Sequence, residues 1–170
     1  KLVTGVQTCA LPILLLRDLE RVMHAARYPD KSSMGAAAIT TSGFDLDRSR
    51  MAELLGFAEV QENSYGCIAA VDYATSVYAA LKLLFVHLGR FVQDLNAWTG
   101  FGIGHMYVPN AYVQISSIMP QKRNPVPVEH LRLMLSLAAS RAEAVIAAVH
   151  NTRFTDMNDS EGEGQAAGYE

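Results

Sequence analysis

The chain has 170 residues, half of them hydrophobic and 18% charged, with a formal net charge of -3. That is the balance of an ordinary globular domain large enough for one sizeable core, and it lacks the basic excess that holds nucleic acid or an anionic membrane surface. No uninterrupted apolar run reaches the roughly 18 residues of a membrane-spanning helix, and two cysteines, Cys9 and Cys67, make neither a zinc motif nor a disulfide framework, which fits a reducing cytoplasm.

The first thirteen residues read differently from the rest. Val3 to Ile13, Val-Thr-Gly-Val-Gln-Thr-Cys-Ala-Leu-Pro-Ile, looks like the conceptual translation of a common sequencing-adapter oligonucleotide. A signal peptide needs a charged start and a longer apolar run ending at small residues, and fits poorly; a short strand and turn is the other alternative. Setting 1–13 aside as an adapter artefact leaves Cys67 as the native cysteine, with native sequence expected upstream. The polar region 151–170 is expected to be cut short in the same way.

Leu14 to Tyr28 reads as the tail of a helix, with Leu14, Leu15, Leu19, Val22 and Ala26 at helical spacing, and Pro29-Asp30 ends it. Lys31 to Gly43, rich in Ser, Gly, Ala and Thr, reads as a loop. A short helix is predicted from Leu46 to Leu55, capped by Asp45 or Asp47 and stopped by Gly56. After a polar connection at Val60 to Tyr65, Ile68 to Trp98 reads as one helix about 45 Å long. It is apolar on every side, which predicts burial by other helices. Gly100 to Gly104 breaks it, a loop follows, and a last helix runs from Pro125 to His150, with Pro125 and Pro127 suited to its first turn. Long helices, long loops and little strand alternation predict an all-α, long-helix bundle.

The segment richest in chemistry is Ser116-Ser117-Ile118-Met119-Pro120-Gln121-Lys122-Arg123-Asn124-Pro125. Two hydroxyls precede a lysine, an asparagine and a helix start. Free N–H groups and partial positive charge at the helix start, a cation at Lys122 and two amide donors at Asn124 suit a carboxylate. Removing a proton α to a carboxylate builds a second negative charge there, so fixed cations and donors must already be in place. A serine oxygen can act as the base only if backbone N–H groups and a cation stabilise its alkoxide. The alternative is a surface loop whose serines cap a helix and whose Lys-Arg pair is solvated.

The segment is similar to the signature Gly-Ser-Ser-x-Met-Pro-x-Lys-x-Asn-Pro of the aspartase/fumarase superfamily, with Ile115 in place of the leading glycine. The resemblance covers Leu14 to His150. Met34-Gly35-Ala36-Ala37-Ala38, Asp47-Arg48, Leu54-Leu55-Gly56-Phe57 and Glu62-Asn63-Ser64 are similar to the argininosuccinate-lyase pieces Leu-Gly-x-Gly-Ala, Ile-Asp-Arg, Leu-Leu-Gly-Phe and Glu-Asn-Ser. Gln121 favours that branch over adenylosuccinate lyases, whereas Arg123 leans the other way. The resemblance implies the superfamily's central helical domain at 14–150, with a mobile catalytic loop at 114–125 that closes over substrate. It makes Ser116 the base and Lys122 and Asn124 the holders of a substrate carboxylate, and it puts Ser117, Met119 and Gln121 in the same site. Asn63, Ser64 and Arg48 are further substrate-site candidates; an ordinary turn and a surface charge are the equal alternatives. The implied reaction is β-elimination of fumarate from argininosuccinate, releasing arginine. No metal or organic cofactor is expected, and the enzyme is expected to be a cytoplasmic homotetramer whose active sites are shared between subunits. The small-molecule substrate is the expected partner, with no nucleic acid and no membrane. Other lyases of the superfamily, adenylosuccinate lyase or carboxymuconate cycloisomerase, and a non-catalytic crystallin-like helical protein are the alternatives.

Three departures accompany the resemblance. The acid-side Thr-His motif belongs upstream of Leu14. Ala70-Val71-Asp72 keeps only the last acid of an Asp-Arg-Asp. The leaving-group pattern expected in Phe154 to Glu163 has no counterpart that can be placed. His87 is read as a packing or hydrogen-bonding residue of the long helix, and His130 as a solvated residue one turn into the last one. His24, His105 and His150 have no partners at ligand spacing. The acidic run from Asp156 fails as a calcium loop, since Glu161 stands where glycine is required and Ala167 where glutamate is.

Overall fold

The computed structural model describes residues 2–154, with side chains from residue 10 onward. Its elements in order are α1 (Leu2–Ala25), β1 (Lys31–Ser32), α2 (Arg48–Leu55), β2 (Glu59–Val60), α3 (Gly66–Ala69), α4 (Asp72–Trp98), a 3-10 turn (Asn110–Tyr112), β3 (Val113–Gln114), β4 (Asn124–Pro125) and α5 (Val126–Val149). Three long helices carry the chain, and the strands are two-residue pairings: β1 with β2, parallel, and β3 with β4, antiparallel. The expected all-α class is the one found.

The chain forms two compact units. One combines residues 1–16 with 82–140, the other 17–81 with 141–170, and α1, α4 and α5 contribute to both.

In the second unit, small residues make the core. Ala25, Ala36, Ala52, Ala69, Ala74 and Ala142 are buried, with Val145 and Val149 of α5. Asp18 is buried as well, paired with Arg21 one turn on; a buried carboxylate needs such a partner. Helix α2 begins as its sequence dictates. Asp47 is its N-cap and accepts from the Arg50 amide at 2.8 Å, and Gly56 closes it at φ 82, a left-handed conformation in which glycine pays no Cβ penalty. The loop before α2 is strained: Ala37, Ala38, Ile39 and Thr41 all have positive φ, a region that disfavours side chains, β-branched ones above all.

In the first unit, Val92 and Val128 are buried. The Gly100–Gly104 turn ends α4 as expected, with Gly104 at φ 60 and its N–H bonded to the Gly100 carbonyl at 2.8 Å. Pro127 falls in the first turn of α5, where no amide is needed.

Three expectations need correction. The stretch from Leu14 is the tail of a helix that begins at Leu2, with Pro12 inside it, but it ends at Ala25 and not at Tyr28. The helix predicted as continuous from Ile68 is interrupted: Ala70 is extended, at φ -76 and ψ 137, and separates α3 from α4. That leaves α4 about 40 Å long. Helix α4, expected to be buried by other helices, is only partly covered within this chain. Leu83 and Val86 on α4, and Leu131, Leu133, Met134 and Leu137 on α5, are exposed. Although no apolar run is unbroken, Gly66–Trp98 has a window of mean hydropathy 1.4 and matches a membrane span in length and composition. It also carries Asp72, Lys82, Arg90 and Asp94 and the break at Ala70.

Candidate active site

The Ser116 loop is a closed protrusion of the first unit. Its base is the β3–β4 ladder, in which Gln114 pairs with Asn124 and Val113 with Pro125. Residues 115–123 project from that pinch. Within it, the Ser116 Oγ accepts from the backbone N–H of Ile118 at 3.3 Å and of Met119 at 3.4 Å, and the Lys122 N–H donates to the Met119 carbonyl at 2.9 Å. Both bonds to Oγ are longer than the usual value of about 2.9–3.0 Å and so are weak in the resting loop. They are the backbone donors that a serine base requires, and such bonds shorten and strengthen when the acceptor carries charge.

Around this oxygen the predicted residues lie in one short stretch. Ser116 and Asn124 are half-buried, while Ser117, Met119, Gln121 and Lys122 are exposed. These four side chains are therefore open to solvent. Ile115 is 61% exposed and is not among the residues with positive φ. The resting loop therefore makes no demand for the glycine of the signature at that position.

Arg48, Asn63 and Ser64 belong to the second unit and form a different kind of cluster. Arg48 Nε donates to the Met34 carbonyl at 2.9 Å, Nη1 to that of Glu62 at 3.2 Å, and Nη2 to that of Gln61 at 2.8 Å and to Cys67 Sγ at 3.4 Å. This guanidinium ties together loops far apart in sequence. Asn63 Oδ1 accepts from the Gly66 amide at 2.8 Å, opening α3. Gly35, at φ +81, passes so close to Arg48 that a Cβ there would lie 3.0 Å from Cγ. Ser64 is half-buried between these groups in sequence. Sequence reasoning missed the size of the Arg48 network, because its partners are carbonyls and leave no mark on residue identity.

His87 is half-buried on α4 and His130 is exposed on α5. His24 stacks edge-on against Tyr28, and His150 Nδ1 lies 3.1 Å from the Ala147 carbonyl. Among the described residues, no three His, Cys, Asp or Glu side chains come together to hold a metal. Of the segment expected to read the leaving group, Phe154 is described: its carbonyl accepts from the Tyr65 hydroxyl at 2.8 Å. The rest, with the acidic run from Asp156, lies outside the described residues.

A family model described as Lyase matches residues 6–139, loop included. The chain belongs to this lyase family. The match begins within the segment 1–13. This lyase chain is 62% identical over 157 residues to argininosuccinate lyase 2 of Agrobacterium fabrum, an alignment that spans 92% of the chain and 31% of the relative. It is 35% identical over 144 residues to argininosuccinate lyase 1 of Shouchella clausii, spanning 85% of the chain and 29% of that relative. The chain thus spans about a third of the length of the curated relatives it matches. In fold it is similar to a crystal structure of EDDS lyase in complex with formate, with TM-score 0.75 and 23% identity over 89% of the chain and 32% of that structure. A class II fumarase from Schistosoma mansoni gives TM-score 0.75 and 15% identity over 96% and 39%. At those identities the two structures speak for the fold alone, and it is the fold expected from the Ser116 signature.

Proposed function

We propose that the protein containing this chain cleaves argininosuccinate to arginine and fumarate by β-elimination, with the loop 114–125 as its proton-abstracting element. The observation that carries this reading is the 62% identity to a curated argininosuccinate lyase over 92% of the chain. Ser116 Oγ takes the proton α to a carboxylate of the succinyl half. Lys122 and Asn124 hold that carboxylate while it gains a second negative charge, and stabilise it more in the transition state than in the substrate. The electron pair then forms the fumarate double bond as the carbon–nitrogen bond breaks, and arginine leaves once its nitrogen is protonated. Ser117, Met119 and Gln121 shape the wall of this site; within the second unit, Asn63 and Ser64, on the loop that Arg48 braces, are further substrate-contact candidates.

The assembly is a homotetramer with shared sites, in the cytoplasm. The exposed apolar side chains of α4 and α5 support assembly, since a partner that covers them removes apolar surface from water. Residues 6–13 fall inside the family match, so the reading of 1–13 as foreign rests on their adapter-like sequence and on Pro12, which costs about 3 kcal/mol inside a helix. The test is product analysis with the full-length enzyme. Argininosuccinate should yield arginine and fumarate in equal amounts, and adenylosuccinate should yield neither; the reverse result would move the chain to the sibling branch.

A further inference from the structure

Arg123 differs from its exposed neighbours Gln121 and Lys122 in having its guanidinium committed to chain outside the loop. Nη1 donates to Asn110 Oδ1 at 2.6 Å and Nη2 to the Val108 carbonyl at 2.7 Å. The guanidinium carbon lies 5.0 Å from the centroid of the Tyr107 ring, and the Tyr107 hydroxyl donates to the same Asn110 oxygen at 3.2 Å. A planar fork bound at two acceptors and stacked on a ring fixes direction as well as position, which a lysine ammonium does not do.

We propose that Arg123 is a positioning residue for the elimination: it anchors the C-terminal limb of the Ser116 loop to the Tyr107–Asn110 segment and thereby sets the places of Lys122 and Asn124. This rests on the reading of those two residues as the carboxylate holders. Arg123 immediately precedes β4, in which Asn124 is itself held in register with Gln114. The C-terminal limb is therefore fixed twice, by the ladder and by the guanidinium. The Ser116–Pro120 limb is held by the two long bonds to Ser116 Oγ and by the Lys122–Met119 turn. The two limbs are thus held unequally, the C-terminal one by the firmer links.

The test uses the full-length enzyme with Arg123→Ala, Arg123→Lys, Asn110→Ala and the double Arg123→Ala/Asn110→Ala. Arg123→Ala should lower kcat on the order of 30-fold with KM changed by less than about threefold, as expected when groups that grip the transition state are misplaced. Arg123→Lys should recover part of the loss. Asn110→Ala should lose less, and the double variant should be no worse than Arg123→Ala alone, because both substitutions break one link. Melting temperatures should agree within about 2 °C, since the link is exposed. Amide exchange across 118–122 should be faster in Arg123→Ala. Wild-type kcat in Arg123→Ala, or multiplicative losses in the double variant, would overturn the proposal. If the wild type makes no fumarate, the proposed reaction fails on its own account. The exchange comparison still decides the anchor: faster exchange supports it and unchanged exchange overturns it.

Discussion

Two polar clusters of this chain use similar side chains to opposite ends. Around Arg48, the fold consumes what the residues offer: the guanidinium donates to three carbonyls and a sulfur, and the Asn63 side-chain oxygen accepts from the Gly66 amide. Around Ser116, the loop is pinched shut by two ladder pairs and leaves Ser117, Gln121 and Lys122 exposed, while two backbone N–H groups point at the Ser116 oxygen. The difference teaches where chemistry can reside. An arginine saturated by its own backbone is a brace, while a lysine and an amide held on a small scaffold with spare donors can receive a charged ligand.

The largest effect expected is on the loop side. Ser116→Ala in the full-length enzyme should lower kcat by about a thousandfold, the usual scale for loss of a general base, and Lys122→Ala by about a hundredfold, as for loss of one charge-stabilising donor. Neither should shift the denaturation midpoint. On the brace side the pattern inverts. Arg48→Ala should cost about 2 kcal/mol of stability in urea titration, from lost charge-assisted bonds to carbonyls, with kcat of the remaining folded enzyme close to wild type. A collapse of kcat at unchanged stability would move Arg48 into the site and erase the contrast. Ala37 sharpens the same side. It has φ 48 and stands where the similar stretch Leu-Gly-x-Gly-Ala has its second glycine. Ala37→Gly should therefore raise stability by about 1 kcal/mol, measured the same way.

The smallest effect concerns the rim of β1–β2. The Lys31 amine lies 2.9 Å from Glu59 and is held above its ordinary pKa of 10.5 by that hydrogen bond and charge. A raised pKa in the folded state means the contribution is present in full at neutral pH and fades as pH rises through the raised value. Glu59→Gln should lower the melting temperature slightly near neutrality, and the two proteins should converge in strong alkali. Both side chains are partly exposed, so the difference should be small.

Much of this was legible in the sequence because it was local. Asp47 and Gly56 mark both ends of α2, the glycines after Thr99 end α4, and Pro127 lies in the first turn of α5, while Pro125, expected there too, belongs to β4. The Ser116 signature is contiguous, so its residues arrive together. What was hidden depends on distance. Ala69 and Ala70 favour helix by composition, yet the chain extends at Ala70, and nothing in side-chain pattern announces it. Arg48 reaches carbonyls 13 and 14 residues away, and Arg123 reaches Asn110 and the Val108 carbonyl. Carbonyl acceptors occur at every residue, so such braces have no motif. Two-residue strands are likewise too short for alternation to show.

The most direct test of the central claim is fumarate formation followed by ultraviolet absorbance, with the full-length enzyme and its Ser116→Ala variant on argininosuccinate. Fumarate released by the wild type, and lost in a variant with the same circular dichroism and melting temperature, is the result this account predicts. Undiminished fumarate release by Ser116→Ala would contradict it, because the proton would then be leaving to another group.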